Sequence, residues 1–285
     1  MIRIIRKFIK KNFSSLYKKT YKLRTLIYKK IYSNKTKINL LDEFFEFSPG
    51  GSGNKKLVNE NIFFNIKNLS NALNLLIDNK KEINDYQNLE YDLELSEKLK
   101  NLFKENGSDK HVHKYHLIYS HIFSKFNVKN LLEIGLGSQD NSFLSNMGDF
   151  GKPSGCLKTF SEILGIDSMI VGLDIDEKAL INEGNISSFK FDQLSLDDVN
   201  KFSMQYNKFF DLVIDDGLHS NISVINSLFM CKTILKDGGI LIIEDLFKEQ
   251  LKFITVAFEL YKEKFDYEVY NIENTYLIIA KKLFI

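Results

Sequence analysis

The segment from residue 211 to residue 219 reads DLVIDDGLH, and residues 241–245 read LIIED. Each is a hydrophobic run of strand length that ends in two carboxylates. Because ligands of an open α/β sheet bind outside the carboxyl ends of its strands, we expect both ends to contribute to one site. His219 would act there as a general base, since histidine ordinarily titrates close to neutral pH. The predicted metal ligands are Asp216, Glu244 and Asp245.

Simpler roles remain open for these residues. Asp215 can cap the helix predicted to begin near residue 221, although we also count it among the cofactor-binding residues. Glu244 can support a ligand instead of being one. A lone histidine is more often structural than catalytic, but His219 follows a strand end rich in carboxylates, which is not a typical place for a core histidine.

An earlier strand, NLLEIGLG at residues 130–137, ends in a glycine turn. Gly135 and Gly137 would let the backbone approach a ligand closely. A dinucleotide fold would place a third glycine where this chain has Asp140. Glu133 precedes the first glycine and suits a cationic amino-acid group better than a pyrophosphate.

The next two strands also end in acids. Asp174 closes VGLD, where it could accept hydrogen bonds from ribose hydroxyls, and Asp192 lies in FDQ, where it could contact an adenine amino group. For either residue, capping of a following helix is the simpler alternative.

From about residue 107, strands alternate with helices, which predicts a mostly parallel sheet. The last two strands are separated by a short break and predict an antiparallel hairpin. The seven predicted strands are 130–135, 169–174, 187–191, 210–215, 238–244, 266–271 and 275–281. The predicted helices are 112–126, 157–164, 176–182, 195–204, 221–235 and 247–263.

The N-terminal part of the chain differs in charge. Residues 1–40 hold 13 of the 39 Lys and Arg side chains and none of the 37 Asp and Glu, so the rest of the chain is acidic. We predict a basic amphipathic helical arm over 1–33, a linker and helical region over 34–95, and one domain over 96–285. An arm of this kind is suited to peripheral contact with the inner face of an anionic membrane. The alternative is a helix that packs on the body of the protein or on a second subunit, as in a homo-oligomer.

Other compositional features bound the localisation. No apolar run reaches the ~18 residues that span a bilayer, and charges interrupt every candidate signal-peptide core. Cys156 and Cys231 form neither a metal pair nor a disulfide framework, which is typical of a reducing compartment. We therefore expect a cytoplasmic protein. We do not expect a nucleic-acid partner.

The order EIGLG, GLDID, FDQ, IDDGLH and IIED resembles the class I S-adenosylmethionine (SAM)-dependent methyltransferases. More narrowly, it is similar to the metal-dependent sugar O-methyltransferases of macrolide and surface-polysaccharide biosynthesis. The segment Gly107–Lys110, with His113, Tyr115 and Tyr119, resembles the family's entry segment. The resemblance covers roughly residues 100–285. It implies a Rossmann-like seven-stranded methyltransferase sheet with helices on both faces.

The resemblance also implies roles for individual residues. Glu133, Gly135 and Gly137 would line the methionine end of SAM, Asp174 would bind its ribose, and Asp192 would lie near its adenine. Mg²⁺ would orient neighbouring sugar hydroxyls. The predicted lip over cofactor or substrate consists of Lys110, His113 and Tyr115.

The chain departs from the family pattern between Glu133 and Asp174, which lie about twice as far apart as the ~20 residues of the dinucleotide spacing. The extra segment, 138–168, is either a lid or a plain surface insertion.

Other functions stay open at this stage. One is a metal-independent small-molecule O- or N-methyltransferase, and another is a non-catalytic Rossmann-like binding protein. The missing third glycine disfavours a nicotinamide-dependent oxidoreductase.

Overall fold

The computed structural model describes residues 82–147, 151–261, 263–273 and 275–284. The predicted basic arm over 1–33 lies outside the described residues, as does most of the 34–95 region, so both remain predictions. In the described part of the chain, no helix is long and apolar enough to cross a membrane.

One sheet of eight strands organises the described residues, in the order β1-β7-β8-β6-β5-β2-β3-β4. The strands are β1 (Ile83–Asp85), β2 (Asn130–Ile134), β3 (Met169–Asp174), β4 (Ile186–Lys190), β5 (Phe210–Asp215), β6 (Leu235–Leu246), β7 (Phe265–Ile272) and β8 (Thr275–Lys282). The α-helices of the described ranges are α1 (Leu93–Asn106), α2 (Tyr115–Lys125), α3 (Gly155–Leu164), α4 (Leu196–Gln205), α5 (Asn221–Ile234) and α6 (Lys248–Leu260).

The centre of the sheet is parallel. Strand β2 pairs with β3 on one side and β5 on the other, and β4 and β6 extend the two wings. Strand β8 is antiparallel to both β6 and β7, which confirms the predicted C-terminal hairpin. The chain runs outward from β2 to β4 and then returns to β5, so the strand order reverses between β2 and β5. Ligands of doubly wound folds bind at such a reversal.

Both faces of the sheet are covered. Leu132 packs in one buried cluster with members of α4, α5 and α6, whereas its neighbour Leu131 packs in a second cluster with members of α1, α2 and α3. Successive residues of a strand point to opposite faces, so this division follows from the pleat. A strand buried on both faces reads as a continuous hydrophobic run, which is why β2 and β5 are visible in the sequence. The predicted Rossmann-like fold is confirmed.

The observed sheet differs from the prediction by one strand. Strand β1 has three residues and pairs in parallel with β7 at the edge of the sheet. A strand this short carries too little alternation to be recognised. The predicted helix over 176–182 is a single 3₁₀ turn at Glu177–Ala179, because the chain is extended again at Leu180.

Helix α1 ends in a way that places the entry segment. Gly107 adopts φ 80°, a left-handed conformation that glycine tolerates, and Ser108 N–H donates to the Phe103 carbonyl at 2.7 Å. The chain therefore turns sharply into a 3₁₀ turn at Asp109–His111. This turn faces the carboxyl ends of the central strands.

Candidate active site

A cavity of about 670 Å³ opens where the strand order reverses. Its wall includes the loops that follow β2, β3, β5 and β6, together with the segment between α1 and α2. The position and size are typical of a small-molecule site in an open α/β sheet.

Gly135 is required by the close approach of two strand ends. It adopts φ 90°, and a Cβ atom built on it would collide with the Asp216 carbonyl and lie 2.7 Å from the Cα of Gly217. Both ends are held by backbone hydrogen bonds: Gly135 N–H donates to the Leu173 carbonyl at 2.8 Å, and Asp216 N–H donates to the Ile134 carbonyl at 2.9 Å. The turn therefore brings the first glycine directly against the acidic end of β5.

Asp174 and Asp192 both line the cavity. Asp174 accepts hydrogen bonds from the backbone N–H groups of Leu136 at 2.6 Å and Asp176 at 2.8 Å. Burial raises its pKa, and these N–H donors partly offset that rise. Asp192 accepts from Leu194 N–H at 2.9 Å. Each carboxylate is thus oriented by the backbone while it remains in the cavity wall.

Two predicted cofactor residues do not line the cavity. Glu133 is fully buried, and neither of its carboxyl oxygens has a hydrogen-bond partner among the described residues. Burial raises its pKa from 4.5 to about 8, with partial offset from Lys110, whose Nζ lies 3.6 Å from Oε1. Asp215 is also buried and accepts from Gln193 Nε2 at 2.8 Å.

The Asp215 contact has a local structural role. The same Gln193 accepts from Leu218 N–H at 3.0 Å, so it fixes the turn between β5 and His219. The sequence gives no signal for this role of Gln193.

The structure brings Asp216, His219 and Asp245 together. One potential ligand atom from each lies within 4.8 Å of the others, and His219 Nε2 is 3.6 Å from Asp216 Oδ1. His219 and Asp245 have φ values of 54° and 51°, which are uncommon for residues other than glycine. Backbone strain of this kind clusters at functional sites.

Lys110, one of the predicted lip residues, lines the cavity, and its ammonium group points to the acids. Its side chain is only 2% exposed, and Nζ pairs with Asp216 Oδ2 at 2.6 Å and with Glu244 Oε2. Burial alone would lower the pKa of Lys110, but the two carboxylates outweigh it and raise the pKa well above its ordinary value. Lys110 is therefore a buried ammonium among acids.

Two tyrosines of α2 complete the network. The Tyr115 hydroxyl donates to Asp245 Oδ1 at 2.6 Å, and the Tyr119 hydroxyl donates to Glu244 Oε1. The two rings lie four residues apart, on one face of the helix. This spacing beside Lys110 was the available sequence signal for Tyr119, which the predicted site did not include.

His113 lies at the rim of the cavity, with a side chain that is 55% exposed. Its Nε2 is 3.6 Å from Asp109 Oδ2, and the interaction with Asp109 raises the pKa of His113. In the predicted extra segment 138–168, residues 142–147 line the cavity together with Ser138, Lys152 and Cys156, and helix α3 occupies part of the remainder. Residues 148–150 lie outside the described part, and the lid remains a prediction.

The donor set fits a divalent cation. Mg²⁺ is usually held by one or two carboxylates, with water or substrate oxygens completing its shell. Burial raises the pKa of Asp216 and, more strongly, that of Glu244, and the positive charge of Lys110 partly offsets both rises. A divalent cation in this site would favour the ionised carboxylates in the same way.

Comparison with known proteins gives partial matches. No model of a known protein family matches the chain. Mycinamicin VI 2''-O-methyltransferase of Micromonospora griseorubida is 35% identical over 77 residues, which are 27% of this chain and 19% of that protein. Demethylmacrocin O-methyltransferase of Streptomyces fradiae is 36% identical over 78 residues, 27% of this chain and 20% of that protein. The matched stretch thus spans about a fifth of the length of these curated relatives.

A solved structure supports the fold over a longer stretch. MycE methyltransferase from the mycinamycin biosynthetic pathway, in complex with Mg and SAH, is similar with a TM-score of 0.53 and 23% sequence identity. The match covers 65% of this chain and 55% of that one. The predicted resemblance is confirmed: the chain has the Rossmann-like fold of the SAM-dependent methyltransferases and resembles the sugar O-methyltransferases of macrolide pathways.

Proposed function

We propose that this protein is a SAM-dependent, Mg²⁺-assisted O-methyltransferase that acts on a sugar hydroxyl. The observation that carries the proposal is the cluster of Asp216, His219 and Asp245 in the wall of the cavity that also contains the glycine turn. A methyl donor and an acceptor hydroxyl could meet in this one cavity. The other residues of the site are assigned roles in binding SAM or in activating the acceptor.

The glycine turn would bind the methionine end of SAM. Gly135 and Gly137 line the cavity, and Asp174, which the backbone N–H groups of Leu136 and Asp176 hold in place, would accept hydrogen bonds from the ribose. Asp192 would lie near the adenine. Glu133 would affect SAM binding only indirectly, from beneath the glycine turn, because it is buried and does not line the cavity.

Methyl transfer requires the acceptor hydroxyl to lose a proton as the new O–C bond forms and the sulfonium C–S bond breaks. A divalent cation held by Asp216 and Asp245 would orient the acceptor and lower the pKa of its hydroxyl. His219 would take the proton at Nε2.

The acceptor class is proposed from the relatives. One is named for 2''-O-methylation of mycinamicin VI and the other for demethylmacrocin, which supports a glycosylated metabolite as acceptor. A nucleotide sugar or a bacterial surface glycan offers the same chemical group. Surface-polysaccharide biosynthesis, peripheral membrane contact through residues 1–33, homo-oligomerisation and a cytoplasmic location remain proposals from the sequence.

The test is calorimetric titration of the full chain with SAM, with NAD as control, in Mg²⁺ and in chelator. Binding of SAM but not NAD, followed by Mg²⁺-dependent methylation of a sugar acceptor, is the expected result. Failure to bind SAM in both conditions would refute the proposal.

Lys110 favours a second candidate, a metal-independent small-molecule methyltransferase, because it already places one cation among the acids. Full turnover in chelator would select this candidate.

A further inference from the structure

We propose that Lys110 is a positioning residue that withdraws Glu244 from the divalent cation and leaves Asp216 and Asp245 as the carboxylates that bind it. The inference rests on the proposed function for the presence of that cation. It differs from the prediction from sequence, in which all three acids are ligands.

The hydrogen bonds of the acids separate them into two kinds. Both oxygens of Glu244 are engaged, Oε2 by the Lys110 ammonium and Oε1 by the Tyr119 hydroxyl, and the residue is fully buried. Glu244 lines the cavity, but to bind a cation there it would have to give up its ion pair with Lys110 and its hydrogen bond with Tyr119. A carboxylate whose two oxygens are both bonded to protein side chains has no oxygen left to bind a cation.

Asp216 and Asp245 each have one oxygen engaged and one oxygen left for a ligand. Lys110 holds Oδ2 of Asp216 at 2.6 Å, so Oδ1 faces His219. The Tyr115 hydroxyl holds Oδ1 of Asp245 at 2.6 Å, and within the described part of the chain no side chain hydrogen-bonds Oδ2. Each proposed ligand is therefore aimed by one anchored oxygen.

The location of Lys110 explains how one side chain can do this. It follows the turn that ends α1 and reaches the ends of β5 and β6, 106 and 134 residues away along the chain. Its fixed positive charge lies beside a proposed ligand, so it weakens the local attraction for a second cation. Loss of the ammonium would therefore strengthen cation binding, provided that the site stays folded.

The first experiment measures Mn²⁺ and Mg²⁺ affinity by calorimetry on the full chain without SAM. We expect D245N to weaken binding by roughly 100-fold and E244Q to stay within about 3-fold of wild type, since loss of a ligand costs more than loss of a residue that does not bind the ion. If E244Q lost as much affinity as D245N, Glu244 would be a ligand and the proposal would be wrong.

The second experiment tests Lys110 itself. K110M should bind the divalent ion about 10-fold more tightly, and the double variant K110M/E244Q should return to near wild-type affinity, because the freed carboxylate is then absent. A merely structural lysine would give weaker binding in K110M. The matched control is K158M, which breaks an exposed ion pair with Glu183 (2.9 Å) on α3 and should leave affinity unchanged.

K110M can unfold, because it leaves a buried carboxylate unpaired. In that case K110M/E244Q should recover the thermal stability that K110M loses, and failure to recover it would overturn the Lys110–Glu244 pairing. A wild-type chain that binds SAM but neither ion would overturn this inference and the Mg²⁺ assistance in the proposed function, while the assignment of SAM would stand. A chain that binds the ions as expected but not SAM would refute the proposed function and leave the ligand assignment standing.

Discussion

Replacement of Glu133 by glutamine should stabilise the protein, and the gain should grow as the pH rises. Burial raises the pKa of this carboxyl from 4.5 to about 8, and neither oxygen has a hydrogen-bond partner among the described residues. The folded state therefore holds the proton more tightly than the unfolded state. Above pH 4.5 the unfolded chain ionises and gains stability that the folded chain cannot match until the pH passes about 8.

The magnitude follows from 1.36 kcal/mol per pKa unit. At pH 5.5 the carboxyl costs about 1 kcal/mol, and at pH 7 it costs about 3 kcal/mol, relative to a neutral side chain of the same shape. The gain in stability of E133Q over wild type should therefore be about 2 kcal/mol larger at pH 7 than at pH 5.5. Titrating groups that do not interact with Glu133 are common to both proteins and cancel in the difference.

Urea unfolding of E133Q and wild type at both pH values, without SAM or metal, measures this difference. The slope with urea should be the same in both proteins, so that the shift in midpoint reports stability. An equal gain at both pH values would refute the argument, because it would mean that Glu133 is ionised in the folded state at both pH values and that its pKa is not raised. Loss of stability in E133Q at pH 7 would show that the ionised carboxylate is needed.

Three further variants test the site. H219A should lower turnover by about 10²- to 10⁴-fold, as expected for loss of a general base, while calorimetry shows unchanged SAM affinity; wild-type turnover would reject the assignment. G135A should lose both stability and SAM binding in thermal shift assays, because the new Cβ would collide with Asp216 and residue 135 has a φ of 90°. A melting temperature equal to that of wild type would contradict the close approach of the two strand ends. Y115F removes the 2.6 Å hydrogen bond to Asp245 and should weaken divalent-ion affinity by about 10- to 100-fold with SAM affinity retained; unchanged ion affinity would show that Tyr115 does not orient Asp245.

The sequence predicts those parts of the fold that depend on local pattern. Buried parallel strands such as β2 and β5 are continuous hydrophobic runs, and their ends are marked by the acids and glycines that follow. Strand β1 was missed because its three residues pair at the edge of the sheet with β7, which is distant along the chain. Pairing between segments that are distant along the chain leaves no pattern in the local sequence.

The site shows the same limit. The sequence indicates which carboxylates gather at the strand ends, and Asp216 and Asp245 do lie together with His219. It does not indicate that Lys110 turns inward, because a lysine in a polar segment is ordinarily exposed. Its burial depends on the turn at Gly107 and on two acids far away in the sequence.

The contact between Lys110 and Glu244 has a consequence for how the molecule forms. It closes a loop of 134 residues, whereas α1 and α2 can form from neighbouring residues alone. Contacts of such long range are made late, because the entropy of closing the loop must be overcome first. During synthesis, Lys110 can join Glu244 only after β6 has left the ribosome, so the acidic site forms after the helices α1 and α2 have been made.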